Sequence, residues 1–345
     1  MKKQTLVIRM TSLGDVVLAT AGLSLLPENY KVDWLVSSEM ASLLEGHSRI
    51  SRVWGFNRRK EGLLGWLRLG LELRRQGYSE IIDLHRSLRT KLLRLFFLGS
   101  AWRSISKPRW RRWGLFVFKG FWPKRLRPKP WVPEFSNVLL GFNTEAGRPD
   151  LGHLLPSGSV SADRHGKYKY AVMPDSAWAG KCWDFEKFGA LVEGLSDGIP
   201  VIFGAKGDER TRDLIDLLLQ RGVPHKAAVG LTWGQVAAEI ADCSFFVGND
   251  TGLAHVAEAL GVPAIVLYGP TSPDLGFRPW RRESRSIHSQ VRCSPCSTDG
   301  RFCYWIGASR YKCMSEITVE QVRGVCREVL RNTVKDRATN EDLRQ

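Results

Sequence analysis

The feature that most constrains the fold is an apolar run that ends at a glycine turn and leads directly into a helix. Residues 243–247 are apolar and rich in strand-forming types, as in a strand buried inside a parallel sheet. Asp250 and Thr251 are residue types that cap helices, and residues 256–260 continue with helix-forming types. The run therefore predicts a strand, a turn and a helix that begins beside Gly252.

A helix start of this kind attracts phosphate, because unpaired amides and the positive end of the helix dipole coincide there. Gly252 has no side chain to keep a ligand from those amides, and His255 lies four residues after Thr251, so both can face one ligand. An ordinary strand–helix junction with a capping Asp gives the same pattern. The run alone leaves both interpretations open.

A second junction near the N-terminus favours the ligand site. A β-branched strand over residues 5–10 runs into a turn with Ser12 and Gly14, and a helix is predicted from Asp15 to about Leu26. The loop of such a βα unit lies at the carboxyl edge of a parallel sheet, where open α/β folds bind ligands. The spaced glycines of a dinucleotide site are missing, which argues against a nicotinamide cofactor. Asp15 is either a helix cap or a general base directed into a cleft.

Alternating strand and helix patterns continue through both halves of the 345-residue chain. They predict an α/β protein with two Rossmann-like, doubly wound parallel sheets that face each other across a cleft. A stretch rich in Gly, Pro, Ser and charge over residues 141–169 is the predicted junction. We expect an N-terminal domain over residues 1–155, a C-terminal domain over residues 165–335 and a polar tail over residues 336–345.

The net charge of +16 is concentrated between residues 84 and 133, which hold 14 Lys or Arg, five Trp and no Asp or Glu. Basic residues interleaved with aromatic ones suit an anionic membrane surface or a polyanionic acceptor, and they also suit nucleic acid. A solvated basic face with the Trp residues in the core is the alternative. The candidates for acceptor or membrane contact are Arg109, Trp110, Arg111, Arg112 and Trp113.

Two further expectations concern location. The sequence has no apolar window of the length that a transmembrane helix needs. The first residues lack the long apolar region and cleavage site of a signal peptide. We therefore expect a cytoplasmic protein, for which the basic, Trp-rich segment would be a peripheral contact with a membrane surface.

Four of the seven cysteines form the pattern C-x2-C-x6-C-x9-C, at Cys293, Cys296, Cys303 and Cys313. Four thiolates with this start are compatible with structural zinc or an iron–sulfur cluster. Disulfides are disfavoured in the cytoplasm. Reduced thiols that pack a loop against the C-terminal domain are the alternative interpretation.

Three motifs, over residues 8–17, 248–255 and 268–271, together resemble those of the lipopolysaccharide heptosyltransferases, the inverting glycosyltransferases of family nine. The resemblance extends from residue 5 to about residue 330. It implies the two-domain GT-B fold, with the acceptor on the N-terminal domain and the nucleotide sugar on the C-terminal domain. It also implies transfer of L-glycero-D-manno-heptose from ADP-heptose to the inner core of lipopolysaccharide, without a required cofactor.

The resemblance also assigns roles to residues. Asp15 would take the proton from the acceptor hydroxyl. Lys181, with the amides of Thr251 and Gly252, would stabilise the departing ADP. The remaining candidates for nucleotide-sugar or phosphate binding are Ser12, Gly14, Ser176, Leu231, Asp250, His255 and Thr271. The expected partners are ADP-heptose, the lipid A–core acceptor and an anionic inner-membrane surface, and no nucleic acid.

Two other functions remain in competition at this point. One is a family-nine transferase that uses another nucleotide sugar or acceptor, because the residues around the sugar ring are not legible from one sequence. The other, from a different class, is a zinc-containing nucleic-acid-binding protein, with the four cysteines as its metal module and the basic region as its contact surface. That alternative leaves the two strand–helix junctions unexplained.

Overall fold

A computed structural model describes residues 4–27, 30–156 and 167–342, with side chains described as far as residue 333. Contacts divide the chain into two compact units. The first unit comprises Met1–Lys107 and Trp131–Leu155, and the second comprises Pro108–Pro130 and Pro156–Gln345. The basic segment Pro108–Pro130, which we expected in the N-terminal domain, therefore groups with the second unit.

The strands of the described residues form two sheets. The first sheet contains β1 Thr5–Ile8, β2 Val32–Ser37, β3 Ile50–Phe56, β4 Glu80–Asp83 and β5 Ala101–Ser104. The second contains β6 Lys169–Met173, β7 Ile199–Gly204, β8 Lys226–Val229, β9 Phe246–Asn249, β10 Ala264–Tyr268 and β11 Arg285–His288.

The helices alternate with these strands, joined by short 3₁₀ turns. They are α1 Leu13–Ala19, α2 Ala41–Leu44, α3 Arg58–Arg75, α4 Leu88–Leu93, α5 Arg109–Phe118, α6 Trp131–Leu140, α7 Phe185–Glu193, α8 Glu209–Gln220, α9 Trp233–Ala241, α10 Gly252–Ala259, α11 Lys312–Ser315 and α12 Val319–Asp342. The last of these covers most of the segment that we expected as a polar tail.

In the part of the chain that the structure describes, neighbouring strands of both sheets run parallel to each other, which confirms the predicted α/β class. The first sheet has the order β3-β2-β1-β4-β5, and the second has the order β11-β10-β9-β6-β7-β8. The strand order reverses beside β1 in the first sheet and between β9 and β6 in the second. Ligands of open α/β sheets bind outside the carboxyl ends of the strands at such points. The loops after β1, β6 and β9 are therefore the places to look for a site.

Each unit has its own apolar core, because its central strands are covered by the apolar stripes of helices. In the first unit Leu6 and Ile8 of β1 pack with Trp66 and Leu73 of α3. In the second unit the fully buried Trp183 packs with Phe188, and Tyr170 and Phe245 stack with their rings 5.2 Å apart. These cores fix the strand ends from which the loops project.

The sequence analysis did not predict strands β3, β5, β8 and β11. Strands β5 and β8 are short and largely exposed, so they carry little of the apolar signal that identifies a buried strand. The predicted helix from Asp15 to about Leu26 is α-helical only as far as Ala19 and continues as a 3₁₀ helix over Thr20–Leu25.

Candidate functional site

Asp15 lies in the first turn of α1, in the loop region after β1. Both the backbone N–H and the hydroxyl of Ser12 donate hydrogen bonds to its Oδ2, over 3.2 and 2.9 Å. The guanidinium of the buried Arg9 forms an ion pair with the same oxygen. Ser12 is thus the cap of α1, and Asp15, three residues later, completes a capping box with it and is also one partner of an ion pair inside the first unit.

These contacts determine the protonation state of Asp15. Burial raises the pKa of the carboxyl, but the positive charge of Arg9 and the hydrogen bonds from Ser12 and Arg9 outweigh burial, so the pKa lies below its usual value. The carboxylate is therefore ionised at neutral pH. Every contact that the described residues make with this carboxylate falls on Oδ2. Its second oxygen, Oδ1, is left to accept a proton or a hydrogen bond from a ligand.

Two residues at the end of the neighbouring strand β4 belong to the same region and were not predicted. The buried Asp83 accepts hydrogen bonds from the backbone N–H groups of His85 and Arg86. Burial, followed by the charges of Arg9 and Lys107, lowers the pKa of His85 to about 4. His85 is therefore neutral at pH 7. Its place beside the site comes only from the fold, in which β4 pairs with β1 at the point where the strand order reverses.

The second junction places Thr251 as the N-cap of α10, with its hydroxyl oxygen accepting from the amide of Leu253 over 3.1 Å. The first amides of a helix have no partner inside the helix, and Gly252 is the first residue of this one. The predicted strand–turn–helix is therefore present, and it ends at the reversal point of the second sheet.

Asp250 connects three elements around this helix start. Its Oδ2 lies 2.7 Å from Nζ of Lys181 and accepts a hydrogen bond from the hydroxyl of Thr271 over 2.8 Å. The hydroxyl of Ser176 donates to the backbone carbonyl of Asp250 over 3.5 Å. Four of the predicted donor-site residues are thus in contact, although they come from the loops after three different strands.

The buried Asn249 positions one of these loops and was not among the predicted site residues. Its Oδ1 accepts from the backbone N–H of Trp183 over 2.9 Å, and its Nδ2 donates to the carbonyl of Pro174 over 2.7 Å. Both bonds reach the loop after β6 that carries Lys181. A polar side chain as the last residue of an apolar strand was the signal in the sequence.

Two other predicted donor-site residues, Leu231 and His255, are not among the residues that contact Asp250. Leu231 follows Gly230, whose φ of +67° requires glycine, and precedes Thr232, which caps α9. His255 is buried, and its Nδ1 lies 3.6 Å from Oε2 of Glu258. No hydrogen-bond partner for that nitrogen occurs in the part of the chain that the structure describes. His255 is therefore buried beside Glu258, and its contact with a ligand stays a prediction.

Glu258 itself is fully buried, and it is a structural carboxylate. It accepts hydrogen bonds from the backbone N–H groups of Trp280 and Arg281 and from the hydroxyl of Ser284. These bonds fix the loop before β11 on the end of α10.

The basic, Trp-rich segment forms α5 and two 3₁₀ turns within the second unit. Trp110 and Trp113 are 51% and 62% exposed, and Arg109 is exposed as well. The guanidinium of Arg111 lies over the ring of Trp110, with its carbon 5.1 Å from the ring centre. The expected alternative, with the Trp residues in the core, does not hold for Trp110 and Trp113.

Two side chains fasten this segment to the rest of the second unit. Arg127 forms an ion pair with Asp274 over 2.5 Å, and Lys119 donates to the carbonyls of Cys293 and Pro295. The segment and the loop that holds the cysteines are therefore in direct contact.

Cys293, Cys296, Cys303 and Cys313 line one small pocket in that loop. Burial and the neighbouring thiols raise the pKa of Cys313 to about 12, so its thiol is protonated at neutral pH. Within the described ranges, no three His, Cys, Asp or Glu side chains are arranged to hold a metal ion. The four cysteines that the sequence pattern singled out thus lie together around one pocket.

Comparison with known protein families shows to which family the chain belongs. The model of glycosyltransferase family 9 (heptosyltransferase) matches residues 66–302, more than half of the chain. The chain belongs to this family. It is a heptosyl-type glycosyltransferase, as the motifs after β1 and β9 predicted.

Relatives of this family 9 glycosyltransferase agree with the assignment. It is 26% identical to lipopolysaccharide heptosyltransferase 3 of Escherichia coli, over 77% of this chain and 83% of that protein. The solved structure of E. coli ADP-heptose lps heptosyltransferase II has a TM-score of 0.72 at 20% identity, with 95% of this chain and 99% of that chain covered. The iron-containing dodecameric glycosyltransferase TibC from enterotoxigenic E. coli H10407 has a TM-score of 0.54 at 14% identity, with 96% and 77% covered.

The structural similarity confirms the predicted two-domain GT-B fold for this family 9 enzyme. Among the helices that the structure describes, none combines the length and the apolar character that a membrane span requires.

Proposed function

We propose that this glycosyltransferase moves heptose from ADP-heptose to the inner core of lipopolysaccharide with inversion at the anomeric carbon. The main support for the proposal is that both sheets contain the same kind of strand–helix junction, at β1–α1 and at β9–α10. The strand–helix loop of the first sheet carries an ionised carboxylate, and that of the second carries an open helix start with a lysine beside it. The names of the similar proteins, which include lipopolysaccharide and ADP-heptose, support the acceptor and the donor.

In the proposed reaction Oδ1 of Asp15 removes the proton from the acceptor hydroxyl. The freed electron pair of that oxygen attacks the anomeric carbon from the face opposite the leaving group, and the bond to the diphosphate oxygen breaks. Because the ion pair with Arg9 keeps Asp15 ionised, the base is in its reactive form at neutral pH. The same ion pair leaves Oδ1 as the oxygen that can take the proton.

The departing ADP carries negative charge that has to be stabilised as the bond breaks. The amides at the start of α10 and the positive end of its dipole supply part of that stabilisation. Lys181 supplies a mobile cation, which forms an ion pair with Asp250 at the helix start. Ser12, Gly14, Ser176, Leu231, His255 and Thr271 remain proposed donor contacts.

The base is tested by Asp15→Asn. The amide still accepts hydrogen bonds from Ser12 but cannot take a proton, so kcat should fall roughly 10²- to 10⁴-fold while the Kd for ADP stays within twofold. Glu61→Gln is the matched control, since Glu61 also lies in the first turn of a helix and accepts a backbone hydrogen bond, from Asn57 over 2.6 Å. Full turnover of the Asp15→Asn variant would rule out the base.

The donor is tested by calorimetric titration with ADP, UDP and GDP. A family-nine transferase that uses another nucleotide sugar predicts tighter binding of UDP or GDP than of ADP, and that result would refute the ADP assignment. Transfer assays with ADP-heptose and truncated core acceptors then identify the acceptor position. Tight, salt-sensitive binding to DNA without affinity for any nucleotide would instead favour the nucleic-acid-binding alternative.

The exposed face of α5 is the proposed contact for the anionic acceptor and for an anionic inner-membrane surface, in a peripheral, cytoplasmic enzyme. Its support is the exposure of Arg109, Trp110 and Trp113 among basic residues. Charge reversal of Arg109, Arg111 and Arg112 should weaken acceptor binding and leave ADP binding unchanged. Unchanged acceptor binding in a folded triple variant would contradict this role.

We also propose that the four thiols that line one pocket hold a structural metal ion, zinc or iron. Four cysteine sulfurs are a donor set that both metals accept, and the name of the similar glycosyltransferase TibC describes it as iron-containing. The thiols would have to lose their protons and draw closer on binding. Purified protein should contain about one equivalent of metal that Cys293→Ser with Cys303→Ser removes. Metal-free protein of unchanged stability would refute this proposal.

A further inference from the structure

A row of exposed leucines lies on α3 in the first unit, away from the regions described above. Leu63, Leu64, Leu67 and Leu71 are between 42% and 70% exposed. At about 100° per residue they fall within about 100° of the helix circumference. The core-facing residues Trp66, Leu69, Gly70 and Leu73 occupy the adjoining arc of the same helix. α3 therefore has one apolar stripe against the core and a second one facing solvent.

The next helical segment repeats this arrangement. In α4 and the 3₁₀ turn and loop that follow it, Leu88, Leu92, Leu95 and Leu98 are between 42% and 87% exposed. Leu88, Leu92 and Leu95 are spaced four and three residues apart, which places them on one side of the helical segment, and Leu98 lies in the turn that follows. Leu93, by contrast, is fully buried in the core of the first unit.

The two exposed stripes lie on elements that pack against each other. The indole of Trp66 on α3 donates to the carbonyl of Arg89 on α4 over 3.2 Å. A Cβ at Gly70 would lie 2.8 Å from the ring of Phe96, so that ring packs directly on the backbone of α3 there. On the helix circumference Gly70 is only about 20° from Leu63. The exposed stripe of α3 therefore borders the contact with the second segment, and we call the eight leucines together the leucine face.

The leucine face is surrounded by positive charge. Residues 58–98 contain ten Lys or Arg and four Asp or Glu. Two of the four acidic residues, Glu80 and Asp83, are buried in β4, so they contribute little to the surface. Exposed basic side chains stand beside the leucines, among them Lys91 and Arg94. A group of eight exposed leucines with a charged rim marks a surface that meets a partner.

We propose that the leucine face docks the first unit onto a bilayer that contains anionic phospholipid. The leucines would enter the boundary between headgroups and acyl chains, and the surrounding Lys and Arg would meet lipid phosphates. Charge complementarity selects this occupant. A second copy of the chain would bring the same excess of positive charge against this face, whereas an anionic bilayer offers both an apolar layer and the opposite charge.

This surface differs from the exposed face of α5, which belongs to the second unit. The inference concerns how the enzyme is held at a membrane, and it extends the proposed peripheral location to a second set of residues. Its measurement requires neither a donor nor turnover. A failure here therefore leaves the proposed transferase activity untouched, and a failed transfer assay leaves this inference untouched.

The test measures binding of the full chain to vesicles of phosphatidylethanolamine and phosphatidylglycerol and to vesicles of phosphatidylcholine. Leu64→Ser combined with Leu95→Ser should lower the partition coefficient on anionic vesicles about tenfold or more, because both leucines lose apolar contact with the bilayer. Lys91→Glu combined with Arg94→Glu should weaken the same binding and reduce its dependence on salt.

Leu219→Ser is the matched control, since Leu219 is 64% exposed on α8 of the second unit. That variant should bind vesicles like the unchanged protein. All variants should keep the Kd for ADP and the melting temperature, which shows that they are folded. Equal vesicle binding by the Leu64/Leu95 double variant would overturn the inference. So would a dimer in light scattering that the double variant converts to a monomer while vesicle binding persists.

Discussion

Replacing Lys181 with Met tests whether the cation at the start of α10 serves the nucleotide or only the fold. Nζ of Lys181 lies 2.7 Å from Oδ2 of Asp250, and both side chains are 15% exposed. Methionine keeps most of the length and the apolar part of the side chain but removes the charge and the hydrogen-bond donors. The substitution therefore affects the ion pair and any contact with a diphosphate, and it disturbs packing little.

Two effects of different size are expected. Without Lys181 the Thr271 hydroxyl is the one side-chain partner that the carboxylate of Asp250 keeps among the described residues, so the change should cost about 1–3 kcal/mol of folding free energy. For a unit of this size that corresponds to a melting temperature about 2–4 °C lower for each kcal/mol. Loss of one charge-assisted hydrogen bond to the diphosphate is worth about 1.5–3 kcal/mol, so the Kd for ADP should rise roughly 10- to 150-fold.

Calorimetric titration with ADP and thermal unfolding measure the two effects separately. Lys226→Met is the matched control, because Lys226 forms a surface ion pair of 2.5 Å with Glu239 in the same unit. That variant should lose little stability and bind ADP normally. A Lys181→Met variant with a lowered melting temperature and an unchanged Kd would show that Lys181 only neutralises Asp250, and the proposed leaving-group role would be wrong.

Two further predictions concern stability. Asn249→Ala removes two buried hydrogen bonds to the loop after β6. Urea unfolding should therefore show that the free energy of unfolding falls by about 2–4 kcal/mol. A decrease of less than about 0.5 kcal/mol would contradict the positioning role of Asn249. The pKa values of His47 and His85 are lowered from 6.5 to about 4, mainly by burial. Between pH 6.5 and pH 4 both histidines are therefore neutral in the folded state but protonated in the unfolded chain. The free energy of unfolding therefore has its full value above pH 6.5 and decreases as the pH falls towards 4, by up to about 3 kcal/mol for each histidine. His47→Gln should flatten the pH dependence, and stability that does not change between pH 7 and 4.5 would refute the account.

The fold class and the two strand–helix junctions were predictable because their signals are local. An apolar run, a capping residue and a helical pattern lie within about a dozen residues of each other at β1–α1 and β9–α10. The family motifs coincide with these junctions. Short edge strands such as β5 and β8 have no comparable pattern, because strands with exposed side chains need no apolar alternation.

The partners of the candidate residues were not predictable from the sequence. Asp250 meets Lys181 and Thr271, which come from other loops, and Asn249 meets Trp183, which is 66 residues away. Sequence spacing gives the type of residue at a strand end but not which loop folds over it. For that reason the sequence offered both Asp250 and Thr251 as caps, and the structure shows that Thr251 is the cap while Asp250 pairs with the lysine.

By itself the sequence determined the class of fold, the two helix starts and the family, because these depend on the order of residue types along the chain. Only the tertiary structure decided which oxygen of Asp15 is occupied, that residues 108–130 belong to the second unit, and that the leucines of α3 and α4 face solvent. The physical reason is that burial and ion pairing depend on what packs over a side chain. That neighbour comes from elsewhere in the chain, and no local pattern records it.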